Sequence, residues 1–97
     1  MMKSENRETV HYVYLAGCAN GSLYVGYTKN VQLRIARHNA GNGRQFTRTN
    51  RPLRLIASWP FNSRTEARRA ECELKRRSPE AKLALAEVAL SLQWEKL

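Results

Sequence analysis

Apolar positions along the chain alternate, then take a helical period, then alternate again, then turn helical twice more. The stretch from His11 to Thr28, HYVYLAGCANGSLYVGYT, reads as two short strands around a glycine-containing turn. Tyr12, Val13, Tyr14 and Leu15 favour a strand, as do Leu23, Tyr24, Val25 and Tyr27. Side chains alternate along a strand, so Val13 and Leu15 share one face while Tyr12 and Tyr14 share the other. The turn decides whether Tyr14 and Tyr24 meet. A two-residue turn at Asn20-Gly21 would pair Ala19 with Ser22 and send the two tyrosines to opposite faces. A three-residue loop, Ala19-Asn20-Gly21, pairs Cys18 with Ser22 and makes Tyr14 and Tyr24 diagonal neighbours. Gly21 suits the positive φ that ends such a loop, so the spacing predicts the second register. On composition alone these tyrosines are ordinary strand formers with surface hydroxyls.

Thr28 or Asn30 can cap a helix running to about Ala40, with Gly41 as its stop. Val31, Ile35 and His38 lie on one helical face, Arg34 flanks that face one turn before His38, and Arg37 points further into solvent. Residues 41–51, GNGRQFTRTNR, have no apolar period and read either as a plain exposed loop or as a basic one. In the second reading Arg44 and Arg48 touch phosphates and Phe46 stacks on a base. A third strand follows from about Leu53 to Trp59, with Leu53, Leu55, Ala57 and Trp59 as its inward face, and residues 60–62 turn the chain. Ser63 and Glu66 form a capping box for a helix to about Arg77, whose apolar stripe is Ala67, Ala70 and Leu74. At about 100° per residue, Glu71 falls beside that stripe. A carboxylate turned toward a core needs a partner. Lys75, four residues on, is the ordinary one; a divalent metal ion is the alternative. Ser78-Pro79-Glu80 starts a third helix to about Leu92, packing through Leu83, Ala86, Leu90 and Trp94. The expected fold class is therefore α+β: a small three-stranded, mainly antiparallel sheet flanked by helices, in the order β-β-α-β-α-α. Residues 1–9 form a flexible leader, 10–92 the domain and 93–97 a tail.

Charge sharpens the picture. Of 97 residues, 17 are Lys or Arg and 8 are Glu, with no Asp, giving a net charge of +9. No acidic residue occurs from Thr9 to Thr65, yet Lys29, Arg34, Arg37, Arg44, Arg48, Arg51, Arg54 and Arg64 all fall there. Solubility explains the total but not the missing acids, and a run of one sign implies a polyanionic partner. Nucleic acid comes first; a membrane surface is disfavoured, because no basic helix carries a wide apolar face. Cys18 and Cys72 show no metal or disulfide spacing, and with His11 and His38 they make no zinc pattern, so both are expected as reduced thiols in a cytoplasmic protein. The first nine residues hold no signal-peptide apolar region, and no apolar run approaches a membrane span.

Tyr12-Val13-Tyr14, ten residues before Tyr24-Val25-Gly26, resembles the paired GIY and YIG motifs of the GIY-YIG nuclease family. The later Arg34-x-x-x-His38 and the helical Glu71 match as well, so the resemblance runs from about His11 to Lys82. It is nearest to the small stand-alone members. It implies an active site of Tyr14, Tyr24, Arg34 and Glu71 around one Mg²⁺ or Mn²⁺ held by Glu71, with His38 matching a histidine used in several branches. Gly26 is supporting. Lys29, Arg37, Arg44, Phe46, Arg48 and Arg51 are expected on the nucleic acid, DNA in preference to RNA. Three departures stand out: Tyr27 replaces a lysine that some branches place after the YIG glycine, no asparagine occurs at 81–86, and Phe46 stands near a common tyrosine.

Those residue types suit phosphodiester hydrolysis, which needs a nucleophilic water, a cation on the nonbridging oxygens and help for the leaving group. Arg34 can fork two hydrogen bonds to a phosphate. A tyrosine acting as base needs nearby positive charge to lower a pKa of about 10, and His38 can assist the proton transfer. The expected activity is metal-dependent cleavage of DNA, single-stranded or branched substrates included, with a protein partner able to supply specificity. The rival readings are a non-catalytic nucleic-acid-binding module and an interaction module for an acidic protein.

Overall fold

The hairpin adopts the three-residue loop. The Cys18 N–H donates to the Ser22 carbonyl at 2.9 Å, the Gly21 N–H returns to the Cys18 carbonyl at 3.0 Å, and Gly21 has φ of +90°. In this computed structural model, which describes residues 10–41 and 51–96, the elements are β1 (His11–Gly17), β2 (Leu23–Thr28), α1 (Val31–Asn39), β3 (Arg54–Phe61), α2 (Arg64–Lys75) and α3 (Pro79–Lys96). Both neighbours of β1 run antiparallel to it, in the sheet order β2-β1-β3. The fold class and the element order are those expected from the sequence.

The central strand separates two layers. Val13, Leu15, Val25 and Ala57 pack against Ala67 and Leu74 of α2 and Ala86 of α3. On the other face Tyr14, Ala16 and Cys18 pack with Val31 of α1 and with Leu53. Each helix starts on a polar cap. The Asn30 Oδ1 accepts from the Leu33 N–H at 3.0 Å, the Ser63 Oγ from Glu66 N–H at 3.1 Å, and the Ser78 Oγ from Ala81 N–H at 3.1 Å. Such caps are worth about 1 kcal/mol each. Gly41, with φ of +93°, ends α1, its N–H donating to the His38 carbonyl.

β3 departs from the expected pattern. Leu15 pairs with Ala57 but Ala16 pairs with Leu55, so Ile56 is an extra residue, a β-bulge. One extra residue inverts the alternation on either side of it. Leu53 and Leu55 therefore lie on the Tyr14 face, while Ala57 and Trp59 lie on the Val13 face. Leu53 is buried, yet Leu55 stays 41% exposed. The strand also continues through Pro60, opposite Tyr12, to Phe61, which an edge strand tolerates because no partner needs the missing N–H. α2 stops at Lys75 rather than Arg77, and α3 runs past Leu92 to Lys96. Ala86 is buried but Leu83 is largely exposed; Leu90 and Trp94 lie outside the described side chains. No helix among the described residues is long and apolar enough to cross a membrane.

Candidate active site

Tyr14 sits at the centre of the sheet with no exposed surface, directly across from Gly26 on β2. A Cβ on residue 26 would lie 2.5 Å from the Tyr14 Cζ and hydroxyl oxygen, so the ring occupies the space that a side chain there would need. Two residues back along β2, Tyr24 pairs with Ala16 and therefore shares the face of Tyr14. The two ring centroids are 6.2 Å apart. α1 brings His38 to the same place. Its Nε2 is 3.4 Å from the Tyr14 hydroxyl, and its ring meets that of Tyr24 edge-on at 5.7 Å. One turn earlier Arg34 is exposed, and its Nη1 donates to the Tyr27 carbonyl at 3.4 Å.

Burial pushes the Tyr14 hydroxyl up to about 12, the neighbouring Tyr24 adds to the rise, the charge and hydrogen bond of Arg34 oppose it, and Glu71 adds a smaller upward push. The expectation that positive charge would lower the pKa of a catalytic tyrosine is reversed at this position. Desolvation outweighs Arg34, and Tyr14 keeps its proton at neutral pH.

Glu71 comes from the opposite layer, on α2, and is 9% exposed. Its Oε2 pairs with Lys75 Nζ at 3.2 Å and its Oε1 with Arg68 Nη1 at 3.4 Å. Both partner side chains are more than half exposed, so each can move aside. Arg68 also stands over the Tyr27 ring, 4.6 Å from its centroid. The Tyr27 hydroxyl is 2.8 Å from His11 Nδ1, and these two rings stack. His11, Tyr27 and Arg68 thus form a buttress beside Glu71 that sequence reading passed over. The spacing of Arg68 from Glu71, three residues on a helix, was a legible signal; the ring contacts were not.

Among the described residues no three His, Cys, Asp or Glu side chains gather as a metal cage. A lone carboxylate with displaceable partners does fit one hard divalent ion that keeps most of its waters, and Glu71 is that carboxylate. Lys29, Arg37 and Arg51 are exposed, whereas Arg44, Phe46 and Arg48 lie outside the described residues. Cys18 and Cys72 are both free thiols.

The match with known proteins decides the family. Residues 10–83 fit the sequence model of the GIY-YIG catalytic domain. The chain belongs to the GIY-YIG family. A UPF0213 protein of Staphylococcus haemolyticus is 49% identical over 79% of this chain and 94% of its own. The solution structure of a UPF0213 protein from Bacillus halodurans is 44% identical, covering 81% of this chain and 84% of that one with a TM-score of 0.53. A solution structure from E. faecalis, 33% identical, covers 84% and 88% with a TM-score of 0.56. GIY-YIG is a nuclease-type family, and nucleic acid is the partner class it points to. The motif residues of this GIY-YIG domain, Tyr14, Tyr24 and Gly26, stand on two adjacent strands, and α1 adds Arg34 and His38.

Proposed function

We propose that the chain is a metal-dependent endonuclease that hydrolyses DNA phosphodiester bonds, and that single-stranded or branched DNA is its substrate. The observation that carries this reading is the polar group at the heart of the sheet: Tyr14, Tyr24 and His38 in mutual contact, with Arg34 acting on the same hydroxyl. A fully buried tyrosine whose hydroxyl meets a histidine and an arginine is a poor way to build a core and a good way to hold a proton in place.

Each side chain has a role. Arg34, exposed at the rim, binds a nonbridging phosphate oxygen through its fork of N–H groups. Tyr14 remains protonated and, buried beneath the site, holds His38 in place through its hydroxyl. The proton leaves the attacking water through Tyr24 or His38, whose rings meet in a T-shaped contact. Glu71 would hold one Mg²⁺ or Mn²⁺ in place of Lys75 and Arg68. The ion, when bound, supplies positive charge for the phosphate oxygens and the departing oxygen. Lys29, Arg37 and Arg51 extend the positive surface along the strand, in a chain of net charge +9.

One observation favours a second reading. The Glu71 carboxylate is already satisfied by two ion pairs, as in a domain that binds nucleic acid without cutting it. Glu71→Ala separates the two. In a nuclease the variant binds DNA at least as tightly as wild type, since a negative charge has left a basic surface, but produces no cleavage. If it cuts as fast as wild type, Glu71 holds no metal and the second layer has no part in the chemistry.

A further inference from the structure

A groove of about 370 Å³ opens on the Tyr14 face of the sheet, between the start of α1 and the edge strand β3. Tyr12, Lys29, Gln32, Leu55 and Ser58 line it. Ser58 is the cross-strand partner of Tyr14, and Tyr12 is its neighbour on the same face, so the groove lies on the Tyr14 face along β1, on the β3 side, while the Tyr14 ring itself lies over Gly26 of β2. The groove exists because of the bulge at Ile56. Without that extra residue Leu55 would face the opposite layer; with it, a large apolar side chain stands 41% exposed on the face that carries the chemistry. Neighbouring Leu53, on that same face, is 3% exposed.

We infer that this groove is a nucleotide subsite, which takes the base next to the cleaved phosphate out of its stack. The inference rests on the nuclease reading above and adds to it a place for one base. Leu55 and the Tyr12 ring offer an apolar surface to the flat face of a base. Lys29 offers the neighbouring phosphate its charge, and Gln32 and Ser58 offer hydrogen bonds to the base edge. Among the described residues its lining holds a cation and no carboxylate, as expected for a polyanionic ligand. Its volume is in the range of small-ligand sites, roughly 300–1,000 Å³, and so has room for a single nucleotide.

The test compares two short single strands in chelator: an oligo-deoxyadenylate, and the same backbone with every base removed. Methyl NMR of Leu55 and binding affinity are read together. The subsite predicts that the adenylate shifts the Leu55 methyls by ring current and the abasic strand does not. It predicts that Leu55→Asn weakens adenylate binding roughly tenfold, the scale of losing one base stack, and leaves abasic binding unchanged. If the adenylate binds with the Leu55 methyls unmoved and the variant binds equally well, the subsite is wrong while the nuclease reading stands. Shifted methyls in a chain that never cleaves DNA would keep the subsite and remove the nuclease. Failure of both strands to bind would overturn the subsite and leave the nuclease reading to branched DNA alone.

Discussion

Tyr14 and Gly26 face each other across β1 and β2, and the tyrosine ring fills the space a side chain on residue 26 would take. The glycine is thus a packing requirement of the Tyr14 ring rather than a turn residue. Gly26→Ala places a Cβ 2.5 Å from the ring, and the ring must leave its position beside His38. Overpacking of this kind costs about 1–3 kcal/mol. The variant is expected to lower the unfolding free energy from urea titration by that amount and to lose cleavage at temperatures where it is still folded. An unchanged cleavage rate would show that the ring's position is immaterial.

The Tyr14 hydroxyl gives a signature in alkali. Below pH 10 the proton is bound in the folded and the unfolded chain alike. Between pH 10 and about 12 the unfolded chain releases it while the folded chain keeps it, so stability falls as pH rises. The difference between wild type and Tyr14→Phe should grow by roughly 2 to 3 kcal/mol across that window, in favour of the phenylalanine variant. Urea titrations at pH 9 and pH 11.5 measure it. At neutral pH the same variant should lose roughly tenfold in cleavage, the scale of one positioning hydrogen bond, while changing stability by less than about 1.5 kcal/mol, because its bond to His38 is long at 3.4 Å.

Lys75 and a divalent ion compete for one carboxylate. Removing the lysine charge with Lys75→Gln should lower the Mg²⁺ concentration giving half-maximal cleavage a few-fold, since like charge no longer occupies Glu71. Its effect on stability should stay below about 1 kcal/mol, as the ammonium is largely in water. A metal titration of cleavage reads this directly; a higher requirement in the variant would mean that Lys75 positions the carboxylate rather than blocking it.

Asn39 ties the site's helix to the third strand. Its Nδ2 donates to the Leu53 carbonyl at 3.1 Å, and its Oδ1 accepts from the Leu53 N–H at 2.6 Å. Leu53 is buried under the Tyr14 face, so this pair anchors the end of α1 one residue from His38. Asn39→Ala removes the side-chain partners of two part-buried backbone groups and should cost about 1 kcal/mol. Thermal unfolding checks the stability; cleavage should fall further than stability does, because His38 loses its anchor.

Local features of the fold were legible in the sequence. The turn parity placed Tyr14 and Tyr24 on one face because a three-residue loop leaves no other register. Asn30, Ser63 and Ser78 cap the helices because side-chain oxygens at those positions answer free N–H groups. Glu71 read as a carboxylate turned inward, and its burial follows the helical period. What escaped is set by backbone register and tertiary contact. The Ile56 bulge carries no sequence mark, yet it moves Leu55 to the Tyr14 face. The buttress of His11, Tyr27 and Arg68 joins two strands and a helix that are distant in sequence. Tyr14's proton affinity depends on how deeply the sheet buries it, which a count of nearby arginines does not reveal.

We propose that these side chains cut DNA with a metal ion. The most direct measurement incubates the wild-type chain with end-labelled single-stranded, duplex and branched DNA, each with Mg²⁺, with Mn²⁺ and with chelator. Products are expected on the single-stranded or branched DNA in either metal, and none in chelator. Binding of all three DNAs without a product in either metal would contradict it, and would leave a nucleic-acid-binding module that keeps the nuclease fold.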